Sequence, residues 1–348
     1  RMGETPAPPG EGAEKGPPPA GPGGAGGRPK TPPPPPPAAA TREAYPVALS
    51  ELVEQGVDVV ALDADLSAST MGYQFGDKYP ERWHSVGIAE ANMVGIAAGY
   101  AATGKTAFVA SFASFLPGRC FDQIRTSVAQ PRGGLNVKCV ASHGGVTVGE
   151  DGASAQAIED VALMTSLIPF DVIVPADFES ARQAIVAVGK TTRPSYVRTG
   201  RPKVNAIYDA GYRFEIGKAN ILRAGTHVTF IACGILVGVA LETANQLASE
   251  GISARVIDMA TIKPIDREAV LAAARETGAI VTAEEHQTHG GLGTAVARVL
   301  AETLPTPVSF VGVDRYGTSG KWDELLDYFD LTPARLGAAA RDVIARKR

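Results

Sequence analysis

The chain has 348 residues, enough for two domains of ordinary size or one large one. Its 33 Lys and Arg against 37 Asp and Glu give a net charge of −4, which argues against nucleic-acid binding through a general basic field. Three widely separated cysteines, Cys120, Cys139 and Cys233, build neither a disulfide framework nor a Cys-rich metal site, and the longest apolar stretch, 228–241, is too short to span a bilayer. With no charged-then-apolar segment at its start, the sequence reads as that of a cytoplasmic protein with no membrane partner.

Residues 1–40 are a different material from the rest. They contain 14 Pro and 9 Gly and no Leu, Ile, Val, Phe, Tyr or Trp, so they cannot bury enough apolar surface to offset their ordering entropy. A disordered Pro/Gly-rich tail is expected, with 32–37 locally in polyproline II; a solvated tail is a simpler reading than a proline-recognition ligand. Folded sequence is expected from Thr41. From there short β-branched runs alternate with longer helical patterns. Strands are expected at 59–62, 107–111, 136–141, 171–174, 195–198, 227–232, 254–258, 280–283 and 308–313. Helices are expected at 90–102, 178–188, 237–250 and 266–277. Strand–helix alternation with near-continuous apolar strands implies an α/β fold with mainly parallel sheets covered on both faces. Pro202, Asn205, Gly211, Gly217 and Gly225 break the pattern over 201–226. The expected organisation is therefore a tail (1–40), a first α/β domain (41–205), a linker (206–220) and a second α/β domain (221–348).

Self-sufficient catalytic signatures are missing. No Gly-x-Gly-x-x-Gly opens a helix after a strand, and there is no Walker loop and no Gly-x-Ser-x-Gly elbow. Gly290-Gly291-Leu292-Gly293 reads as a turn at a helix start. His286 and His289 lie beside Glu284 and Glu285, but without a third spaced ligand a turn at a strand end is the better reading than a metal site. The informative block is 83–160. Glu90, in Gly87-Ile-Ala-Glu-Ala-Asn-Met93, enters a helix of small and apolar residues, either as a dipole-compatible cap or as a buried functional acid. Phe112 and Phe115, in Ser111-Phe-Ala-Ser-Phe115, read as core packing or as a ring-stacking platform. Ser142-His-Gly-Gly-Val-Thr-Val-Gly-Glu-Asp-Gly152 is a Gly-rich polar loop after a strand, where α/β proteins place their sites.

Taken in that order, these three motifs resemble the C-terminal half of transketolase, from about Ala40 to the end of the chain. The resemblance implies a pyrimidine-binding domain followed by a transketolase C-terminal domain. It also implies a two-carbon ketol transfer between sugar phosphates that depends on thiamine diphosphate and Mg²⁺. In the family the Mg²⁺ and the diphosphate are held by a Gly-Asp-Gly motif in an N-terminal half; Gly76-Asp-Lys78 is not that motif. The chain thus looks like one subunit of a split transketolase whose partner is the N-terminal, diphosphate-binding subunit, with an α2β2 heterotetramer as the expected assembly. Carried over residue by residue, Glu90 is the carboxylic group that bonds the pyrimidine ring nitrogen. Phe112 and Phe115 flank that ring, and Asp65 lies near the cofactor. His143, Arg42, Arg198 and Ser69 are assigned to the substrate phosphate and Asp151 to a sugar hydroxyl. No protein-held metal is expected on this chain.

One position departs from the family. Ala155 stands where a histidine usually follows Gly-Glu-Asp-Gly, and a donor lost there commonly costs roughly 10²-fold or more in rate. Compensation by Gln156 or by a partner histidine, and a substrate other than the standard pentulose phosphate, are the open alternatives. A deoxyxylulose phosphate synthase-like enzyme, a 2-oxoacid dehydrogenase beta subunit and a non-catalytic scaffold half are the competing readings. The C-terminal domain, with Thr318-Ser-Gly320 and Trp322, is assigned packing and dimer contacts and no chemistry.

Overall fold

A computed structural model describes residues 38–209 and 211–347. Of the tail expected over 1–40, residues 1–37, with the polyproline stretch, lie outside the described residues. Its last three positions do not belong to a tail. Ala38–Ala40 form β1, with Ala39 and Ala40 buried. The chain then continues through α1 (Ala44–Glu54), β2 (Val59–Asp63), α2 (Ser67–Thr70), α3 (Tyr73–Lys78) and β3 (Trp83–Ser85). Next come α4 (Glu90–Ala102), β4 (Thr106–Phe112), α5 (Leu116–Gln123) and β5 (Val137–Ser142). The first unit closes with α6 (Asp160–Thr165), β6 (Asp171–Ile173), α7 (Phe178–Gly189), β7 (Ser195–Arg198) and β8 (Lys203–Asn205). The second begins with β9 (Asn220–Arg223), β10 (Val228–Ala232), α8 (Leu236–Ala248), β11 (Ala254–Asp258) and β12 (Thr261–Lys263). It ends with α9 (Arg267–Thr277), β13 (Ile280–Gln287), α10 (Leu292–Thr303), β14 (Val308–Val313), α11 (Trp322–Tyr328) and α12 (Pro333–Ala345).

The strands make two principal sheets, the α/β architecture that the strand–helix alternation implies. One has the order β12-β6-β7-β5-β4-β2-β3 and the other β14-β13-β10-β11-β9. All neighbours are parallel except the edge strands β12 and β9. The central strands are buried at every position, as β2, β4, β5 and β10 show, because helices cover both faces. β1 pairs with β8 in a separate two-stranded ribbon. The stretch 201–226, expected to lack regular structure, thus contains β8 and the start of the second unit, β9.

The two units are stitched together. β12 leaves the second unit and adds to β6 of the first sheet. One apolar cluster runs from Leu62, Val94 and Val109 through Tyr196 to Ile231, Ile257 and Leu292. All three cysteines are buried and unpaired. Among the described residues, no helix is long and apolar enough to cross a membrane.

Candidate active site

Parallel strands deliver their carboxyl ends to one edge of the sheet, and the motifs of the informative block collect there. β2, β4 and β5 are neighbours, with Asp63 opposite Ala110 and Phe112 opposite Ser142. After β2, the Asp63 carboxylate accepts from the Leu66 amide at 2.7 Å and from the Thr70 hydroxyl at 2.9 Å. These bonds fix the short turn that carries Asp65 and Ser69. After β4, the Phe115 amide donates to the Phe112 carbonyl at 3.0 Å, and the turn stacks the two rings 5.4 Å apart. After β5, His143 adopts φ +58, a left-handed conformation that side chains seldom take, and its ring stacks on Phe112 at 3.9 Å.

Glu90 is the first residue of α4, where the helix dipole favours an acid. Met93, Val94, Ala97 and Ala98 lock that helix into the core, and Glu90 is itself buried. Its Oε1 accepts from Arg119 at 2.7 Å, and the Arg119 guanidinium lies 4.0 Å above the Phe115 ring. Sequence reasoning missed Arg119. Its signal was its position one turn beyond Phe115 on α5.

At the other end, the Arg42 guanidinium donates to the Ser69 carbonyl at 2.8 Å and meets His143 Nε2 at 3.4 Å. A guanidinium only donates, so Nε2 accepts and the ring proton sits on Nδ1, facing the Ser142 hydroxyl at 2.9 Å. Burial pushes the His143 pKa down to about 3, helped by the charges of Arg42 and Arg201, so the ring is neutral at pH 7. Burial and Arg201 also lower Arg42. Arg42 Nε is buried with no partner, a cationic group held ready for an anion. Contacts therefore run without a break from Ser69 through Arg42, His143, Phe112, Phe115 and Arg119 to Glu90.

Three assigned residues stand apart from that chain. Asp65, at φ +64, and Asp151 are exposed on the surrounding loops. Arg198 lies deeper, at the end of β7. Its side chain is 4% exposed, with Nε 3.3 Å from Asp160 and Nη2 donating to the carbonyls of Ala157 and Glu285 at 3.1 and 2.8 Å. It joins the two units through its Nε and Nη2 donors. Arg201, three residues further on and beyond the end of β7, is the arginine that bears electrostatically on Arg42 and His143. It also donates to the Val148 carbonyl and pairs with Glu150 at 2.8 Å.

Ala155 packs with Phe112 and Val148, next to Leu66 and Phe115, and makes an apolar wall. Gln156 does not replace the missing donor, because its amide nitrogen is taken by the carbonyls of Val146 (3.1 Å) and Thr318 (3.0 Å). The Gly290–Gly293 turn is the N-terminus of α10, where the Leu292 and Gly293 amides donate to Glu284 at 2.7 and 2.8 Å. His286 is buried in β13 and His289 lies exposed beyond it.

A two-domain α/β protein with an acid, stacked rings and a cationic cluster at one sheet edge is thereby defined. The model of the transketolase pyrimidine-binding domain matches residues 37–206, and that of the transketolase C-terminal domain matches residues 217–336. The chain belongs to the transketolase family. It is 44% identical over 294 residues to a putative transketolase C-terminal section of Methanocaldococcus jannaschii, covering 83% of this chain and 92% of that one. It is 42% identical over 307 residues to the 6-deoxy-6-sulfo-D-fructose transketolase subunit SqwH of Clostridium sp. (strain MSTE9), covering 88% and 95%. Among solved structures it is similar to a split gene transketolase described as an inactive beta4 tetramer. The TM-score is 0.83 and the identity 46%, over 89% of this chain and 99% of that one.

Proposed function

We propose that this chain is the subunit of a thiamine diphosphate-dependent transketolase that supplies the pyrimidine side of the active site and the sugar-phosphate pocket. The observation that carries the reading is the unbroken contact chain from Glu90 to Arg42. It places a buried acid, an aromatic platform and an anion-seeking cluster in one continuous site. Thiamine diphosphate fits the acid end. The Ser111 and Ser114 hydroxyls, on either side of Phe112, are buried without partners, as expected beside an absent polar ring. When bound, the cofactor supplies the nucleophilic carbon and an internal amine base.

This chain's residues do the rest. Arg119 occupies Glu90 Oε1, which leaves Oε2 to bond the pyrimidine ring nitrogen. Phe112 and Phe115 set the plane of that ring, and Asp65, exposed on the loop after β2, is assigned to the cofactor as well. Arg42, Arg201, neutral His143 and Ser69 hold the substrate phosphate through charge-assisted bonds. Asp151 reads a sugar hydroxyl. The Mg²⁺ and the diphosphate fall to an N-terminal partner subunit, with two copies of each chain as the proposed assembly.

Ala155 favours a second reading of the substrate. The wall it forms with Val148 offers no donor to the oxygen at the reacting carbon, and Gln156 is committed elsewhere. A ketose other than the standard pentulose phosphate fits that wall, and one relative is named for a sulfo-sugar. The test is thiamine- and Mg²⁺-dependent transfer from xylulose 5-phosphate to ribose 5-phosphate by the complex with a Gly-Asp-Gly partner. Transfer is the expected result. Tight cofactor binding without transfer would move the substrate to the second reading.

A further inference from the structure

The loop 143–152 follows β5 of the first sheet, yet much of what holds it comes from the second unit. Glu285, on β13, is 8% exposed, and its Oε1 accepts from the Thr147 amide at 2.6 Å. Burial pushes the Glu285 carboxyl above its usual range, opposed in part by the Arg198 guanidinium and by the Thr147 and Val146 amides. Further along the loop, the Ser319 hydroxyl donates to the Glu150 carbonyl at 2.7 Å, and the Thr318 carbonyl receives the Gln156 amide. The loop is shaped for this carboxylate. Gly145 has φ +84, and a Cβ there would collide with the Glu285 carboxyl group. Two residues earlier His143 also holds a left-handed backbone, at φ +58, which persists only where the surroundings over-determine it.

We infer that Glu285 is a positioning residue for the substrate site. Its carboxylate pins the backbone at Val146–Thr147 and so keeps His143 stacked under Phe112 and beside Arg42. A carboxylate suits this task better than an amide, because two backbone donors face it and both need acceptors. Arg198, paired with Asp160 and bonded to the Glu285 carbonyl, lies close enough to offset part of the cost of burying that carboxylate. The adjacent Glu284 is equally buried but serves another element, the N-terminus of α10. The C-terminal unit, expected to serve only packing and dimer contacts, thus shapes the site through one side chain. That the shaped loop meets a sugar phosphate rests on the function proposed above; the anchoring itself does not.

The experiment compares Glu285→Gln with Glu284→Gln. Hydrogen–deuterium exchange on the full chain is read first, then steady-state kinetics and cofactor affinity of the assembled complex. In Glu285→Gln, amides across 144–152 are expected to exchange about tenfold faster while β4 and β5 stay protected. The KM for the sugar-phosphate donor is expected to rise about tenfold, with the Kd for thiamine diphosphate unchanged. Glu284→Gln should leave loop exchange and KM at wild-type values. Where Glu285→Gln does not fold, Glu285→Asp, one methylene short, gives the same readouts. Unchanged loop exchange, or equal loosening of the loop by both variants, overturns the inference. A wild-type complex that does not turn over sugar phosphates would instead refute the proposed function, and the exchange result would still decide the anchoring.

Discussion

Arg198 and Arg201 lie three residues apart in Arg198-Thr-Gly-Arg201, and the sequence gives little to separate them. What separates them is where β7 stops. Arg198 is its last residue and is buried with the rest of the strand, whereas Arg201 lies past the edge and is half-exposed. Their substitutions therefore read differently. Arg201→Ala is expected to raise KM for phosphate-bearing substrates about tenfold with little effect on the melting temperature. Arg198→Met leaves Asp160 buried without its countercharge and is expected to cost about 3–5 kcal/mol of stability. Thermal unfolding beside steady-state kinetics checks both, and a reversed pattern would return the phosphate to Arg198. The motif order singled out Glu90, Phe112 and Phe115, which the fold brings into one contact chain. Arg119 was passed over, because its position one turn beyond Phe115 is telling only once its guanidinium is seen stacked on that ring.

At the scale of elements, every strand expected from an apolar run is present, because a strand buried on both faces must be apolar throughout. The strands that escaped notice, β1, β3, β8, β9 and β12, have only three or four residues each. β8 and β9 are also partly exposed along their length, so they lack both the length and the contrast that periodicity needs. The Ser142–Gly152 loop shows the opposite relation. It reads as a Gly-rich loop where α/β proteins place their sites, and Gly144 and Gly145 are bare because the side chains of Arg198 and Glu285 lie against them. Gly145→Ala would force a left-handed alanine against a buried carboxylate. It is expected to lower stability by about 2 kcal/mol or more in chemical denaturation. Wild-type stability in that variant would show that the loop is free to move away from β13.

For the whole molecule, the junction between the two units carries buried ionisable groups with a measurable signature. Burial pushes the Asp258 pKa from 3.8 up to about 7, only partly offset by the Tyr208 hydroxyl at 2.8 Å. A raised folded-state value means that the native state binds the proton more tightly. The stability contributed is therefore full below the unfolded value and is lost as pH rises through 7. Asp258→Asn removes this dependence. The variant's melting temperature relative to wild type is expected to climb from pH 5 to pH 8, and a pH-independent difference would refute a buried, proton-binding Asp258. Sequence alone could not place this group, since its shift depends on the connector that folds Tyr208 over β11. The family and its site order, by contrast, were legible from three motifs. The central claim, that this chain brings the acid and its partner the diphosphate end of one shared site, is tested most directly by reconstitution. The chain, the Gly-Asp-Gly partner and their mixture are assayed for ketol transfer with thiamine diphosphate and Mg²⁺. No transfer is expected from either chain alone, transfer on mixing, and a loss of roughly 10²-fold or more when the mixed chain carries Glu90→Gln. Wild-type turnover by the Glu90→Gln complex would contradict that claim.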